Sequence, residues 1–153
     1  MSSNVHIKTN FDLCTGCGLC QLACSHRLLG GYNPHRSVLK VRHARENLYH
    51  FPVVCSQCRN AYCLNVCPVG AIHEDERTGA KRVDHEKCIG CGTCARFCPV
   101  EMIAVDPDLD KAVKCDLCGG EPLCVATCPT GALQLACVPC RPAAEAAKGG
   151  PDA

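Results

Sequence analysis

The stretch at residues 88–99 reads C-I-G-C-G-T-C-A-R-F-C-P, with four cysteines at the spacing C-x2-C-x2-C-x3-C. Residues 14–24, C-T-G-C-G-L-C-Q-L-A-C, repeat that spacing near the amino terminus. Three cysteines placed this closely can wrap one face of a cubane iron-sulfur cluster if the residues between them permit tight turns. Glycines stand at the required positions in both stretches, namely Gly16, Gly18, Gly90 and Gly92. Both stretches therefore predict cluster ligation.

Two further quartets of cysteines have a similar spacing, but the gap between their second and third cysteines is wider. Four residues separate the second and third cysteines within residues 55–67, and five separate them within residues 115–128. In two-cluster ferredoxins the fourth cysteine ligates the neighbouring cluster, and a following proline redirects the chain. Proline follows three of the fourth cysteines, whereas Ser25 follows Cys24. The sequence predicts four [4Fe-4S] clusters on sixteen ligands: Cys14, Cys17, Cys20, Cys24, Cys55, Cys58, Cys63, Cys67, Cys88, Cys91, Cys94, Cys98, Cys115, Cys118, Cys124 and Cys128.

Composition agrees with a scaffold built on cysteine. The chain has 18 Cys in 153 residues but only three Phe, three Tyr and no Trp, so bulky core material is scarce. In a protein of this kind a metal or a set of disulfides replaces part of the core. Zinc is the competing metal, because C-x2-C is also a zinc-binding unit, but zinc sites do not need the third closely spaced cysteine.

Location and charge narrow the function classes. The amino-terminal residues lack a signal peptide or twin-arginine pattern, so we expect a cytoplasmic protein, where reducing conditions disfavour structural disulfides. No apolar run approaches the length of about 18 residues that a membrane span needs. Four bound clusters of about −2 each would take the formal net charge from +1 to about −7. With no basic stripe either, nucleic-acid binding is not expected.

The secondary structure predicted from sequence is α+β. Related segments follow three of the quartets and should each lead into a strand: C-P-V-G-A-I, C-P-V-E-M-I and C-P-T-G-A-L. Short helices are expected over residues 21–28 and just before Cys67, Cys98 and Cys128. Hairpins are expected from residues 71–76 with 80–85 and from 103–106 with 111–114. The cysteine-free insertion, residues 29–54, has strand-like runs at 38–41 and 48–54.

Taken together, residues 12–136 resemble the four-cluster ferredoxin-like electron-transfer subunits of molybdenum and tungsten pterin oxidoreductases, such as dimethyl sulfoxide reductase, formate dehydrogenase and aldehyde oxidoreductases. The resemblance implies a duplicated bacterial-ferredoxin-like fold of two interlocked two-cluster lobes. It implies one four-cluster domain over residues 1–140, with lobe A at about 10–54 plus 107–137 and lobe B at about 55–106. Residues 141–153, rich in Ala, Gly and Pro, are expected to form a disordered tail.

The resemblance also implies how the quartets pair, first with fourth and second with third. One outer cluster would take Cys14, Cys17, Cys20 and Cys128, and its neighbour Cys115, Cys118, Cys124 and Cys24. The inner pair of quartets would supply Cys55, Cys58, Cys63 with Cys98, and Cys88, Cys91, Cys94 with Cys67. Spacing alone does not establish this pairing.

The same resemblance implies a function and a partner. A fully cysteine-ligated cluster has no open coordination position, so a non-catalytic electron-transfer subunit is expected. The short chain is most similar in size to the small subunit of tungsten aldehyde oxidoreductase complexes, which implies a catalytic pterin subunit and leaves room for a flavin/NAD subunit or end-to-end self-association. Formate dehydrogenase, hydrogenase or carbon monoxide dehydrogenase systems are alternative partners. An iron-sulfur sensor is the alternative of a different class, although no DNA-binding or output element is visible.

Several residues beside the quartets have two interpretations. Positive charge near a cluster raises its reduction potential, so basic residues next to the ligands could tune the clusters or be ordinary surface charges. They are Arg59, Lys87, Arg96 and Lys114. Cys137 and Cys140 form a further C-x2-C that could bind zinc with a partner, form a redox disulfide or stay inert.

Overall fold

Short helices and two-stranded antiparallel sheets alternate along the chain. The computed structural model describes residues 4–138. In chain order these residues form β1 (Asn4–Thr9), α1 (Leu19–Leu29), β2 (Lys40–Ala44), β3 (Tyr49–Val53), α2 (Tyr62–Asn65), β4 (Ile72–Glu74), β5 (Lys81–Val83), α3 (Thr93–Arg96), β6 (Ile103–Asp106), β7 (Lys111–Lys114), α4 (Leu123–Thr127) and β8 (Leu133–Val138). Single turns of 3₁₀ helix lie at Phe11–Leu13, Pro34–Arg36 and Leu117–Gly120. The predicted α+β class with short helices and hairpins is confirmed.

Three of the sheets are local hairpins, β2–β3, β4–β5 and β6–β7. The two hairpins predicted around residues 77–79 and 107–110 are confirmed, although the strands of the first are shorter than expected. The fourth sheet pairs β1 with β8, which brings the two ends of the described chain side by side with Ile7 opposite Leu135. Strand β1 was not predicted, because no turn or partner near it in sequence marks it.

The length of each helix depends on which residue comes after the fourth cysteine of its quartet. The helices α2, α3 and α4 have only four or five residues and end before Cys67, Cys98 and Cys128, each followed by proline. Helix α1 has 11 residues and continues through Cys24, because Ser25 takes the place of that proline. The Ser25 hydroxyl is fully buried, donates to the Leu22 carbonyl at 3.0 Å and accepts from the Asn33 amide at 3.0 Å. The serine therefore fixes the loop after α1 by side-chain bonding.

The insertion forms a hairpin, as expected, but its first strand is displaced. Strand β2 begins at Lys40 and not at residue 38. Val38 and Leu39 are instead buried as irregular chain, with Leu39 in the core that also contains Ile7 and Leu133. The apolar residues at 38 and 39 are therefore core residues that precede the strand and are not part of it.

Two aspartates organise the turns of the β4–β5 and β6–β7 hairpins. The Asp75 carboxylate accepts hydrogen bonds from the Thr78 amide and hydroxyl, from the Arg82 side chain and from the Arg77 amide, and these bonds hold its pKa at about 2. Asp106 accepts from the amides of Asp108 and Leu109 in the same way. Both turns thus use a side-chain acceptor in addition to the backbone carbonyl of the same aspartate, which accepts from the Gly79 amide in the first turn and from the Asp110 amide in the second.

Apolar side chains form two separate clusters. One contains Ile7, Leu39, Leu117 and Leu133 together with two cysteines, and the other contains Ala71, Ile72, Ile103 and Ala112 together with two more. The expected lobe boundary near residue 107 falls in the turn between β6 and β7, so that hairpin contains chain from both expected lobes. The division into two lobes stays a prediction, and the expected tail at 141–153 lies outside the described residues.

Within residues 4–138, no helix has the length and apolar character needed to cross a bilayer.

Candidate metal centres

The turns between closely spaced cysteines adopt the backbone that the glycines predicted. Gly16, Gly18, Gly90 and Gly92 all have φ between 69° and 73°, in the left-handed region. Two of these turns also leave no room for a side chain. A Cβ atom on Gly16 would lie 2.5 Å from Nδ1 of His50, and one on Gly90 would lie 2.4 Å from the backbone oxygen of Asp110. Glycine is therefore favoured at both positions by the left-handed backbone, and at Gly90 also by the close approach of a backbone atom.

The two wider quartets reach the same backbone without glycine. Gln57, between Cys55 and Cys58, has φ of 46°, and Leu117, between Cys115 and Cys118, has φ of 56°. Both side chains are buried, Gln57 at 1 % exposure and Leu117 at 0 %. Left-handed backbone is strained for residues with a side chain, so tertiary contacts must hold these turns. Sequence reasoning missed both residues, although alignment with Gly16 and Gly90 in the C-x-x-C units would have identified them.

The structure brings the sixteen cysteines together in four sets of four. Each set takes three cysteines from one quartet and the fourth from another. We name the sets in spatial order: site 1 (Cys14, Cys17, Cys20, Cys128), site 2 (Cys24, Cys115, Cys118, Cys124), site 3 (Cys55, Cys58, Cys63, Cys98) and site 4 (Cys67, Cys88, Cys91, Cys94). The pairing of quartets in cluster ligation, and ligation itself, stay predictions.

At sites 1 and 2, cysteines that are distant in sequence lie close enough for their negative thiolate charges to raise one another's pKa. Burial raises the pKa of Cys20 to about 11, and repulsion from Cys17, Cys14 and Cys128 adds to the increase. Burial likewise raises the pKa of Cys124, with further increases from Cys115, Cys24 and Cys118. The four thiols of site 2 also line one cavity.

Sites 3 and 4 are defined in the same way. The four cysteines of site 3 line a cavity with Gln57, Lys81 and Lys114, and those of site 4 line a second cavity with Ala71 and Ala112. Burial raises the pKa of Cys94 to about 11, with additional repulsion from Cys88 and Cys91.

Thiols of adjacent sites also influence each other, and this gives the four sites an order. Cys20 of site 1 raises the pKa of Cys124 of site 2. Cys55 of site 3 raises the pKa of Cys115 of site 2 and lines the cavities of both sites. Cys63 of site 3 raises the pKa of Cys94 of site 4. The sites therefore form a row from 1 to 4, with sites 2 and 3 in the middle.

The donor set of each site fits an iron-sulfur cluster. Each site contains at least one thiol whose pKa is raised by burial, namely Cys20, Cys124, Cys63 and Cys94. A cationic core would remove that penalty because it would pair with the thiolates. Backbone amides also point at sulfur: Ala71 N lies 3.2 Å from Cys67 Sγ, Met102 N 3.4 Å from Cys98 Sγ, and Ala112 N 3.3 Å from Cys88 Sγ. Amide donors to sulfur are a known means of stabilising reduced clusters.

Within residues 4–138, no group of three or more His, Cys, Asp or Glu side chains is arranged to hold a single metal ion.

The two ends of the row are more exposed than its middle. Cys17 in site 1 and Cys91 in site 4 are exposed, whereas every cysteine of sites 2 and 3 is buried or half-buried. Exposed apolar side chains adjoin cysteines of all four sites in sequence: Leu13 and Leu19 at site 1, Leu123 at site 2, Tyr62 and Phe97 at site 3, and Ile89 at site 4. Both ends therefore present apolar surface beside a candidate centre.

Burial separates the four basic residues that sequence placed beside the ligands. Arg59, Lys87 and Arg96 are exposed. Lys114 is buried and lies beside site 3, where its charge lowers the pKa of Cys63 against the larger effect of burial. The further C-x2-C unit predicted at the carboxyl end stays a prediction, because Cys140 and the side chain of Cys137 lie outside the described residues.

Comparison with known proteins identifies the family of this chain. Residues 46–138 match the family described as "4Fe-4S dicluster domain", and residues 7–27 match the "4Fe-4S binding domain" family. The first match spans more than half of the chain.

Among curated proteins, the polyferredoxin-like subunit of the aliphatic sulfonate oxidoreductase of Pyrococcus furiosus is 40 % identical over 117 residues, covering 76 % of this chain and 67 % of the relative. The thiosulfate reductase electron transfer subunit PhsB of Salmonella typhi is 36 % identical over 135 residues, covering 80 % and 70 %. Both are therefore related to this chain over most of their length.

Among solved structures, the active site complex BamBC of benzoyl coenzyme A reductase with benzoyl-CoA has a chain that matches with a TM-score of 0.51 and 26 % identity, covering 88 % of this chain and 80 % of that chain. The sequence and structure matches thus agree on one class of protein. This chain belongs to the 4Fe-4S dicluster-domain family and is a ferredoxin-like iron-sulfur electron-transfer subunit of the kind found in oxidoreductase complexes.

Proposed function

We propose that this chain carries four [4Fe-4S] clusters, one at each of sites 1 to 4, with the sixteen cysteines as ligands, and that it transfers single electrons between two redox partners. The observation that carries this proposal is the grouping of the thiols into four adjacent sets of four. When bound, such clusters supply one-electron storage without an open coordination position.

The protein's own contribution is positioning and insulation. Cys24, in α1, belongs to site 2, and Cys128, directly after α4, belongs to site 1. Because α1 and α4 pack together, these two helices position both sites. Buried side chains such as Leu117 and Met102 keep water away from sites 2 and 3. The fold thus fixes the distances between sites and limits loss of electrons to solvent from the middle of the row.

The two ends are the proposed points of electron entry and exit. Exposed Cys17 and Cys91 with their apolar neighbours support docking of one partner at site 1 and another at site 4. We propose a catalytic molybdenum or tungsten pterin subunit at one end, with a tungsten aldehyde oxidoreductase as the first candidate. A flavin/NAD subunit, or a second copy of this chain, would dock at the other. Two relatives are subunits of an aliphatic sulfonate oxidoreductase and of a thiosulfate reductase, and this similarity supports an oxidoreductase partner.

This role requires no catalytic residue on the chain itself, and we propose that it is not an enzyme alone. Thiolate ligands on sixteen cysteines are best maintained in a reducing compartment, which supports a cytoplasmic location.

The first test is anaerobic purification of the full chain with iron and sulfide quantified, together with EPR of the reduced protein. We expect about sixteen irons per chain and coupled [4Fe-4S] signals. Zinc, or about eight irons, would contradict the four-cluster proposal.

The second test identifies the partner. Affinity purification of the tagged chain from its own cells, under anaerobic conditions, should recover a subunit that contains molybdenum or tungsten. Recovery of a hydrogenase or carbon monoxide dehydrogenase subunit would leave the electron-transfer role in place and reject the pterin partner. Substrate turnover by the isolated chain would reject the non-catalytic role.

A further inference from the structure

Two buried lysines meet at the junction of sites 2 and 3. Lys81 and Lys114 are each only 5 % exposed, although lysine is among the residues least often buried. Both line the cavity of site 3 beside Cys55 and Cys63. Such burial carries an energetic penalty, so the environment must stabilise these groups.

Hydrogen bonds hold Lys114 in one place. Its ammonium donates to the Lys81 carbonyl at 2.6 Å and to the Cys115 carbonyl at 2.9 Å. Gln57 completes the junction, because its Nε2 donates to the same Cys115 carbonyl at 2.8 Å and its Oε1 accepts from the Lys81 amide at 3.0 Å. The left-handed backbone of Gln57 therefore presents a side chain that links the turn of site 3 to the first cysteine of the site 2 turn.

The two lysines differ in how their charge is balanced. Lys81 Nζ pairs with the Glu74 carboxylate at 3.0 Å. Lys114, among the residues from 4 to 138, has no carboxylate within 4.0 Å. The groups that face Lys114 are backbone carbonyls and the thiols of two sites, and its positive charge lowers the pKa of both Cys63 and Cys115 against the larger effect of burial.

Lys87 occupies the same position relative to its quartet as Lys114 does, but its environment is different. It precedes Cys88 as Lys114 precedes Cys115. Its side chain is 66 % exposed and pairs with Asp84 at 3.4 Å, in water and within one turn of chain. A surface charge of this kind is screened, whereas a buried one acts strongly on its neighbours.

We propose that Lys114 is a potential-setting residue whose buried, unbalanced ammonium lies between sites 2 and 3 and favours their reduced state over the oxidised state. This inference rests on the proposed function, because it takes clusters at both sites as given. Reduction adds one electron to a site, breaks no bond and makes the site more negative, so a fixed positive charge raises the reduction potential. The middle of the row thereby accepts electrons at a higher potential than it would without Lys114.

The test is a mediated potentiometric titration followed by EPR, with dithionite as the electron donor, on the anaerobically purified full chain. The variants are Lys114→Gln, the charge-conserving Lys114→Arg and the matched surface control Lys87→Gln, each with its iron content measured. For Lys114→Gln with the wild-type iron content, we expect two of the four potentials to shift to more negative values. Lys114→Arg should restore most of the shift, and Lys87→Gln should leave all four potentials unchanged.

Three results would overturn the proposal: unchanged potentials in an iron-replete Lys114→Gln, an equal shift in Lys87→Gln, or a full shift in Lys114→Arg. If Lys114→Gln does not load iron fully, Gln57→Glu decides, since it adds a balancing carboxylate at the junction and keeps Lys114. A negative shift of two potentials in Gln57→Glu supports the proposal. Unchanged potentials, or loss of iron in that variant as well, reject it and leave Lys114 with a structural role.

Failure of the proposed function gives a separate signal. A wild-type chain with fewer than about sixteen irons would reject the four-cluster arrangement before any Lys114 variant is measured.

Discussion

The end sites and the middle sites solve the same ligation problem with different residues. Sites 1 and 4 use regular quartets with glycine turns and leave Cys17 and Cys91 exposed. Sites 2 and 3 use widened quartets with Gln57 and Leu117 in the glycine positions, and these residues are buried. Local sequence therefore builds the ends, whereas tertiary packing builds the middle.

This difference indicates a division of labour. A glycine turn needs little support from the rest of the protein, so it suits a surface where a partner docks and leaves. A strained turn with a buried side chain is stable only inside a packed core, but it offers side-chain contacts that glycine lacks. Gln57 uses that contact to join two sites. The middle of the row should accordingly be more sensitive to mutation than its ends.

The largest expected difference is between Cys17→Ser and Cys115→Ser. Loss of the exposed Cys17 should reduce the iron content by about four atoms, because the other three sites keep their ligands. Loss of Cys115 should remove more than one cluster, since it leaves Lys114 buried beside an empty, destabilised middle site. Iron and sulfide analysis, with EPR of the reduced proteins, measures both effects.

Thr15→Ala serves as the control, because Thr15 is exposed between Cys14 and Cys17 and should leave the iron content unchanged. Equal losses from the two cysteine variants would show that middle and end sites assemble independently.

A smaller difference is expected between two glycines of the same end site. Both Gly90 and Gly92 have left-handed φ, so alanine at either should cost about 1 to 2 kcal/mol of backbone strain. At Gly90 the new Cβ would also lie 2.4 Å from the Asp110 oxygen, whereas at Gly92 the nearest atom is 3.8 Å away on Val105. We expect Gly90→Ala to destabilise the protein by about 3 kcal/mol in total and Gly92→Ala by about 1.

The measurement is the midpoint of thermal unfolding by circular dichroism under anaerobic conditions at one fixed scan rate. A similar midpoint for Gly90→Ala and Gly92→Ala would mean that conformation, and not close approach, determines the need for glycine at site 4.

The smallest difference concerns how the insertion is attached to the rest of the chain. Arg36 pairs with Asp106, whose side chain is 3 % exposed, at 2.6 Å, whereas Arg42 pairs with Glu101 at the surface at 2.9 Å. Arg36→Gln leaves a buried carboxylate without its cation and should lower the free energy of unfolding by about 2 kcal/mol. Arg42→Gln should change it by less than about 0.5 kcal/mol.

The thermal midpoint again provides the readout, now as a function of pH. Hydrogen bonding from Arg36 lowers the pKa of Asp106, so the contribution of this pair is present above the ordinary carboxyl value and is lost as pH falls through the lowered one. The difference between wild type and Arg36→Gln should thus stay constant from about pH 5 to pH 8. A difference that declines across this range would show that Asp106 titrates near neutrality and is not held by Arg36.

The sequence was sufficient where structure is local. Cysteine spacing, proline after the fourth cysteine and the turn residues at 77–79 and 107–110 act over a few positions, and the helices and hairpins they predicted are present. The longer α1 could also be traced to one local change, Ser25 in place of proline.

The sequence was insufficient where structure depends on distant chain. Strand β1 exists because β8 lies beside it, and no residue near β1 reveals that partner. Lys87 and Lys114 have the same neighbour in sequence, yet one is solvated and the other buried, because only the second faces the junction of two sites. Left-handed backbone at Gln57 is likewise imposed by packing and not by its own preference.

The exchange of Cys24 and Cys128 between sites 1 and 2 has a consequence for biosynthesis. With the ligand sets proposed above, sites 3 and 4 have all their ligands once residue 98 has left the ribosome, whereas sites 1 and 2 both wait for the last quartet. Sites 1 and 2 therefore cannot be complete before the last quartet is synthesised. A truncated product ending before Cys115 would carry at most half of the clusters and would leave the amino-terminal quartet without its partners.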